Sequence, residues 1–386
     1  MTFRWRTLLS ISLLVLLLLT GCSQDPQQGL PGGAAPAVLE LWHSLKGAEA
    51  EVLGEQVEYI MGAYPEVIIN LEYVPENDMV EKTFLAQAGG AGPELFLTSG
   101  EILRELFHKG ALGPLAGTGD SFVNITSQFT YGEKTYAIPL ALDVPLFYYR
   151  TDLAQIPTNL GDFLTTNGVL ALNKLDTKSL APWWLAQGGK LTNNGQPTLD
   201  HGENLIFIYQ LLLWQEENIL LIAPNSWELF VNGEVAYTIA PASRAKSLNP
   251  EIPWGSMPLT QLTNQQGYLL GERIIGIANS SIKTTESLSP WIRLVEEEIL
   301  DPEFQGTLAE AGNRFPASSS FYSGEEGQKG ILIQVGQSLA QVWSLPGNAL
   351  EWRLIPIQDQ AWQAIGNGAL PEDSLAQGQQ KAKELK

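Results

Sequence analysis

Hydrophobic positions are spaced along this chain in three ways, and each spacing predicts a different kind of segment. The first is a run broken only by Ser10 and Ser12, Leu8 to Leu19, behind Arg4 and Arg6. Crossing a bilayer takes about twenty apolar residues, whereas a basic start and a shorter run make a secretory leader. Residues 1–21 therefore read as an address to be removed. The second spacing is the short run or alternation of a strand, in Val38-Leu39-Glu40-Leu41-Trp42, Val67 to Val74 and Glu94-Leu95-Phe96-Leu97. The third is helical: Ala50, Leu53, Val57, Ile60, Met61 and Tyr64 fall on one face, and Ile102 to His108 form a helix closed by Gly110.

Strand, helix and strand in close succession are the pattern of a parallel βαβ unit with a right-handed crossover. Ligands of such sheets sit at the carboxyl ends of the strands, which brings Trp42 to Gly47 and Thr98 to Glu101 to one rim. Further on, Phe129 to Tyr136 predicts a hairpin around Gly132, and Ile138 to Asp143 an extended segment in which Pro139 argues for an edge or a connection. Leu205 to Glu217 and Pro290 to Leu300 are amphipathic and helical. The fold class is α/β throughout.

Composition narrows the function. The chain holds 42 acidic against 22 basic residues, a formal net charge of −20, and loses Arg4 and Arg6 with the leader. Such a field repels nucleic acid, whose binding rests on Lys and Arg at phosphates. Cys22 is the one cysteine, so no internal disulfide forms and stability comes from packing. From Ser23 to Pro36 the chain is rich in Gln, Pro, Gly and Ala and reads as a flexible tether within residues 22–37. The rest exceeds the usual size of one domain, which predicts two. Leu19-Thr20-Gly21-Cys22 resembles the lipobox of bacterial lipoproteins. That resemblance implies cleavage before Cys22, a lipid on its thiol, and a mature protein tethered to the extracytoplasmic face of a membrane.

Six segments in order resemble the extracellular solute-binding proteins of bacterial ABC importers, in the sugar-binding branch that includes maltose-binding protein. They are Leu41 to Gly47 ("LWHS-x-x-G"), Tyr64-Pro65 with the strand from Val67, and Gly92 to Phe96 with Gly110-Ala111-Leu112. Next come Tyr131 to Lys134 through Pro139 and Asp143 to Tyr149-Arg150-Thr151-Asp152-Leu153, then Phe230 to Ile239, then Asn313 to Ala317. The resemblance implies a type II periplasmic-binding-protein fold, two hinge-linked lobes with mostly parallel sheets. One lobe would be residues 38–142 plus 277–316 and the other 143–276 plus 317–386, with crossings near Leu142 to Pro145 and Leu270 to Gly276. It further implies a monomer that closes on a small solute, a sugar first of all, and delivers it to permease subunits driven by a cytoplasmic ATPase.

A sugar is recognised through hydrogen bonds to its hydroxyls and through aromatic rings under its C–H face. His43, Ser44 and Lys46 lie on the first strand-to-helix loop. The resemblance implies ligand contacts for Asp143 at the hinge, Glu101 at a helix start, Arg314 in the late motif and Trp362 as a stacking ring. Trp183 and Trp184 are adjacent and face different ways, so one of the two is expected in the cleft and the other in the core. Two departures count against a long malto-oligosaccharide. Ala240 to Arg244 stands where the branch has "NGPW", leaving Arg244 as a donor in place of a ring, and Thr98 stands where an aromatic is expected. The same transport role with a polyol, polyamine or amino acid stays open, as does a lipid-anchored scaffold. For an enzyme the chain offers little. His43, His108 and His201 lie far apart, no HExxH, GxSxG or P-loop occurs, and no motif calls for a cofactor or a metal.

Overall fold

The computed structural model describes residues 36–385 apart from 116, 118, 160–161, 163–164, 264–271, 282–287 and 342–349. The leader, Cys22, the tether as far as Ala35, and Leu270 at the expected second crossing lie outside the described residues.

Strand β1 (Ala37–His43), helix α1 (Ala48–Ala63) and strand β2 (Val67–Tyr73) form the expected unit, with β1 and β2 parallel from Ala37 opposite Val67 to His43 opposite Tyr73. The alternation along β1 is visible in its burial. Val38 is half exposed while Leu39 and Leu41 are fully buried under the helices, as the two-residue period of a pleated strand requires. Helix α2 (Glu76–Ala88) leads to β3 (Leu95–Ser99), parallel to β1 on its other side, and then to α3 (Gly100–His108) and the short β4 (Leu112–Gly113). The hairpin Thr130-Tyr131 and Lys134-Thr135 turns at Gly132, whose φ of 65° favours glycine. Strand β5 (Ala137–Asp143) then runs to the boundary with the second sheet.

The second sheet opens with β6 (Pro145–Arg150) and β7 (Leu170–Leu172), followed by α4 (Thr177–Ala186) and α5 (Gly202–Glu216). It adds β8 (Leu220–Ile222), β9 (Tyr237–Pro241) and β10 (Trp254–Pro258), in the order β8-β7-β9-β6-β10. The chain returns to the first sheet as β11 (Glu272–Ser280), passes α6 (Ser289–Ile299) and α7 (Pro302–Ala311), and contributes β12 (Phe315–Pro316). The first sheet is ordered β12-β5-β11-β3-β1-β2, with β4 beside β11. Among the later helices, α8 (Glu351–Gly366) and α9 (Pro371–Lys383) pack on each other, and Leu354, Trp362 and Leu375 join the core of the second sheet.

Two expectations are corrected here. The sheets are mixed rather than mostly parallel: β5 and β11 lead out of and back into the first sheet, so β11 runs antiparallel to β3, β4 and β5. Strand β6 is likewise antiparallel to both β9 and β10. Pro139 is not at an edge but lies in a strand flanked by β11 and β12. Its missing N–H is tolerated because β12 pairs only with Leu142 and Ala141, and the ladder to β11 shifts register beside it, opposite Gly276.

Each sheet has its own apolar core, and a third cluster spans the passage between them. Leu142, Val144, Leu146 and Tyr148 of the crossing segment belong to it together with Phe315, Ala317 and Tyr322. The crossing is therefore packed on both sides. The strand ends of the first sheet face the start of α4 and the side of α8.

Candidate functional site

That facing arrangement encloses a cavity of about 490 Å³. The first sheet and its helices supply Glu76, Ser99, Glu101, Arg273, Ile275 and Arg314, and the second supplies Lys174, Asp176 and Asp359. A neighbouring cavity of about 370 Å³ shares Glu76, Ile275 and Arg314 with it and reaches Ser44, Lys46 and Glu49. Of the residues singled out from sequence, Ser44, Lys46, Glu101 and Arg314 thus come together, although Ser44 and Arg314 are far apart along the chain. The rim placement of the first two loops follows from the parallel strands that precede them.

The first wall is held by hydrogen bonds. Ser44 Oγ shares one with Thr98 Oγ1 at 2.7 Å and donates to Glu76 Oε1 at 3.5 Å. Thr98 is fully buried, so a hydroxyl there ties the β1 loop to β3 where an aromatic would have offered a ring. Arg314 donates from Nε to the Arg273 carbonyl at 2.8 Å and pairs through Nη1 with Glu49. Arg273, at φ 52°, donates in turn from Nη2 to the Gly312 carbonyl at 2.7 Å and from Nη1 to the Asn313 carbonyl at 3.3 Å. Burial lowers the affinity of the Arg314 guanidinium for its proton.

Asp143 lies behind this wall. It ends β5, is fully buried, and its Oδ1 accepts from the N–H groups of Val144 at 2.9 Å and Ser243 at 3.2 Å. Its Oδ2 lies 3.8 Å from Arg273 Nη1. Burial holds this carboxyl above the usual carboxylate range, against the pull of the Ser243 and Val144 donors and of Arg273. Asp143, expected to contact ligand, lines neither cavity: it meets the cavity through Arg273 and pins the crossing strand to Ser243 in the second half.

The second wall centres on the start of α4. Asp176 caps it, accepting from the Ser179 N–H at 2.8 Å. Asp359 of α8 reaches the same turn, accepting from the Thr177 N–H at 2.7 Å and its hydroxyl at 2.6 Å. Burial first, and then the Asp176 charge, push the Asp359 carboxyl up, against the pull of Thr177 and Lys174. Lys174 Nζ is 3.7 Å from Asp176.

Trp183, Trp184 and Trp362 are not in the cavity. All three are almost wholly buried in the second core. Trp184 crosses Trp362 edge to face at 5.7 Å and donates its indole N–H to Asn204 Oδ1 at 2.8 Å. Adjacent residues do face different ways, but α4 is covered on two sides, by α5 and by α8, so both rings are taken up by packing. His43 is buried against Tyr73, its ring centroid 5.7 Å away, and burial lowers its affinity for a proton. Arg244 is exposed on the turn after β9 and lines neither cavity.

Sequence reasoning missed Glu76, Arg273, Lys174, Asp176 and Asp359. Asp176-Thr177-Lys178-Ser179 carries the signature of a helix cap, which marks a helix start, and Glu76 follows Pro75 at another. For Arg273 and Asp359 there is no local signal. Among the described residues no group of three or more His, Cys, Asp or Glu could hold a metal, and no helix is long and apolar enough to cross a membrane.

Residues 60–334 match the family described as bacterial extracellular solute-binding protein. Among solved structures, a cyclo/maltodextrin-binding protein complexed with maltotetraose superimposes with a TM-score of 0.75 at 16% identity, covering 92% of this chain and 98% of that one. The sugar-binding protein MalE of Xanthomonas citri gives 0.73 at 16% identity, with 90% and 97% covered. The maltose/maltodextrin-binding domain of Bdellovibrio bacteriovorus MalE, bound to maltotriose, gives 0.65 at 16% identity, with 90% and 99% covered. No curated protein sequence matches the chain.

Proposed function

Because the chain belongs to the bacterial extracellular solute-binding proteins, we propose that it is the extracytoplasmic binding subunit of an ABC importer and that its solute is a carbohydrate. The observation that carries this reading is the cavity between the two sheets, where Ser44, Glu76, Glu101, Asp176, Asp359 and the guanidinium groups of Arg273 and Arg314 converge from both sides. Carboxylates, hydroxyls and planar forks are the donors and acceptors that a ring of hydroxyls needs. The sugars named for the structural relatives favour the same class over a polyol or an amino acid.

The lobes open and close about the crossing segments, solute bridges the two walls, and the closed form docks on the permease pair. A ligand shifts that equilibrium only by its preference for the closed state. The lobes are residues 38–142 with 277–316 and 143–276 with 317–386, bounds that cut the last residue from β5 and fall inside β11. Cys22 carries the lipid that holds the chain at the membrane. Two experiments test this. Thermal shift of the full-length protein in detergent, against sugars, polyols, amino acids and polyamines, should give a selective rise with a sugar, about 2.7 kcal/mol at a hundred times the dissociation constant. A rise with another solute alone would discard the carbohydrate. Changing Cys22→Ala should move the protein out of the membrane fraction, and retention there would refute the tether.

A further inference from the structure

The charges of the cavity wall can be accounted for one by one, and the account says which carbohydrate fits. This inference rests on the carbohydrate reading above. The cations come first. Arg314 is engaged by Glu49 and by the Arg273 carbonyl, and Arg273 by the carbonyls of Gly312 and Asn313 with Asp143 behind it. Lys174 is half exposed and leans on Asp176 at 3.7 Å, and Lys46 of the neighbouring cavity is exposed with no acid within ion-pair distance among the described residues. The acids are less well matched. Asp176 and Asp359 each direct one oxygen to the first turn of α4, at Ser179 and Thr177, where a single capping carboxylate would satisfy the turn. Both are drawn into one wall, close enough for the Asp176 charge to raise the Asp359 carboxyl. Beside them Gln358 is fully buried, donates to Thr177 Oγ1 at 3.1 Å, and leaves its own Oε1 without a hydrogen-bond donor among the described residues. On the facing wall Glu76 has the Ser44 hydroxyl at 3.5 Å and, among the described residues, no cation within ion-pair distance.

Nor, among the described residues, is any that lines the two cavities aromatic. A neutral pyranose is gripped by a ring under its C–H face, and this wall offers acid in place of rings. The field of a chain at net charge −20 acts in the same sense, drawing cations inward. We propose that the cavity takes a carbohydrate bearing a protonated amino group, an amino sugar, with the ammonium seated between Asp176 and Asp359 and covered by Glu76 when the walls close.

The test is calorimetric titration of the full-length protein in detergent with glucosamine, galactosamine and mannosamine. Each is set against its parent hexose and its N-acetyl derivative, with glucuronate and putrescine as controls. At least one amino sugar should bind tenfold or more tighter than its hexose and its N-acetyl form. Asp359→Asn keeps the acceptor for Thr177 and should erase that preference, and Glu76→Gln, on the opposite and more open wall, should reduce it at least threefold. Equal or better binding of hexoses or of glucuronate would overturn the amino-sugar assignment and leave the carbohydrate reading standing. So would a preference unchanged in both variants. Binding of putrescine with no sugar binding at all would overturn both.

Discussion

Trp362 sits at the meeting point of Trp184 and Phe207, with ring centroids 5.7 and 5.6 Å away, and has no exposed surface. Cutting it to alanine should cost about 3 to 5 kcal/mol of stability, read by denaturant unfolding, as for other large buried rings. If Trp362→Ala unfolded like the parent chain and lost only ligand, its place in the core would be refuted. A second residue of this kind is Glu296 on α6, buried beside Asn279 and pushed up to about 7 by burial. An acid whose folded pKa is raised binds its proton more tightly in the folded state. Its contribution to stability is therefore full below the unfolded value of 4.5 and is lost as pH rises to about 7. Glu296→Gln should flatten that fall and stabilise the protein at pH 8 by at most about 3 kcal/mol. Parallel curves for the two proteins across that window would remove Glu296 as the cause.

Helix α4 shows how one element serves both the core and the cavity. Its first turn presents Asp176 and receives Asp359 at the wall, while its last turns bury Trp183 and Trp184. The chain leaves the helix through Gly188-Gly189, and a methyl at Gly189 would come within 2.0 Å of the Trp184 indole nitrogen. The close approach is locked by Asn204, whose Oδ1 accepts from Trp184 and whose Nδ2 donates to the Lys190 carbonyl at 2.9 Å. Gly189→Ala should therefore cost about 1 to 3 kcal/mol by overpacking. A melting temperature unmoved by this change would show that the loop gives way freely. The cap signature from Asp176 to Ser179 is a local signal that could have marked the helix start. It could not announce Asp359, which arrives from α8 and is brought to the turn by the packing of α8 on α4 and α9.

The two halves touch outside the crossing segments as well. Arg104 of α3 lies with its guanidinium 4.4 Å over the ring of Trp352 on α8, and 5.6 Å over that of Phe129. Arg104 is largely buried and meets Glu101 of the cavity wall at 3.7 Å. A desolvated cation over a ring contributes about 0.5 to 2 kcal/mol, and this one is made only when α3 and α8 are close. Arg104→Ala should favour the separated arrangement. Small-angle scattering without ligand should show a larger radius of gyration, with weaker solute binding by up to about thirtyfold, the same energy expressed as a ratio. No change in radius would mean that the crossing alone sets the spacing of the halves.

Periodicity and local chemistry were enough for the α/β class, for the βαβ opening, for the position of the helices at Leu205 and Pro290, and for the rim that holds Ser44, Lys46 and Glu101. These depend on contacts within a few residues or one strand, and a local pattern encodes them. The family resemblance added the two halves and Arg314. Tertiary structure alone decided the rest. Trp183, Trp184 and Trp362 look alike in sequence whether they face a ligand or a core, because an indole is apolar enough for either and only the covering helices choose. Asp143 became a buried pin because Ser243, on the turn after β9, supplies its donor. Glu76, Arg273, Asp176 and Asp359 share a cavity because two sheets face one another, a relation between distant segments that no spacing along the chain records.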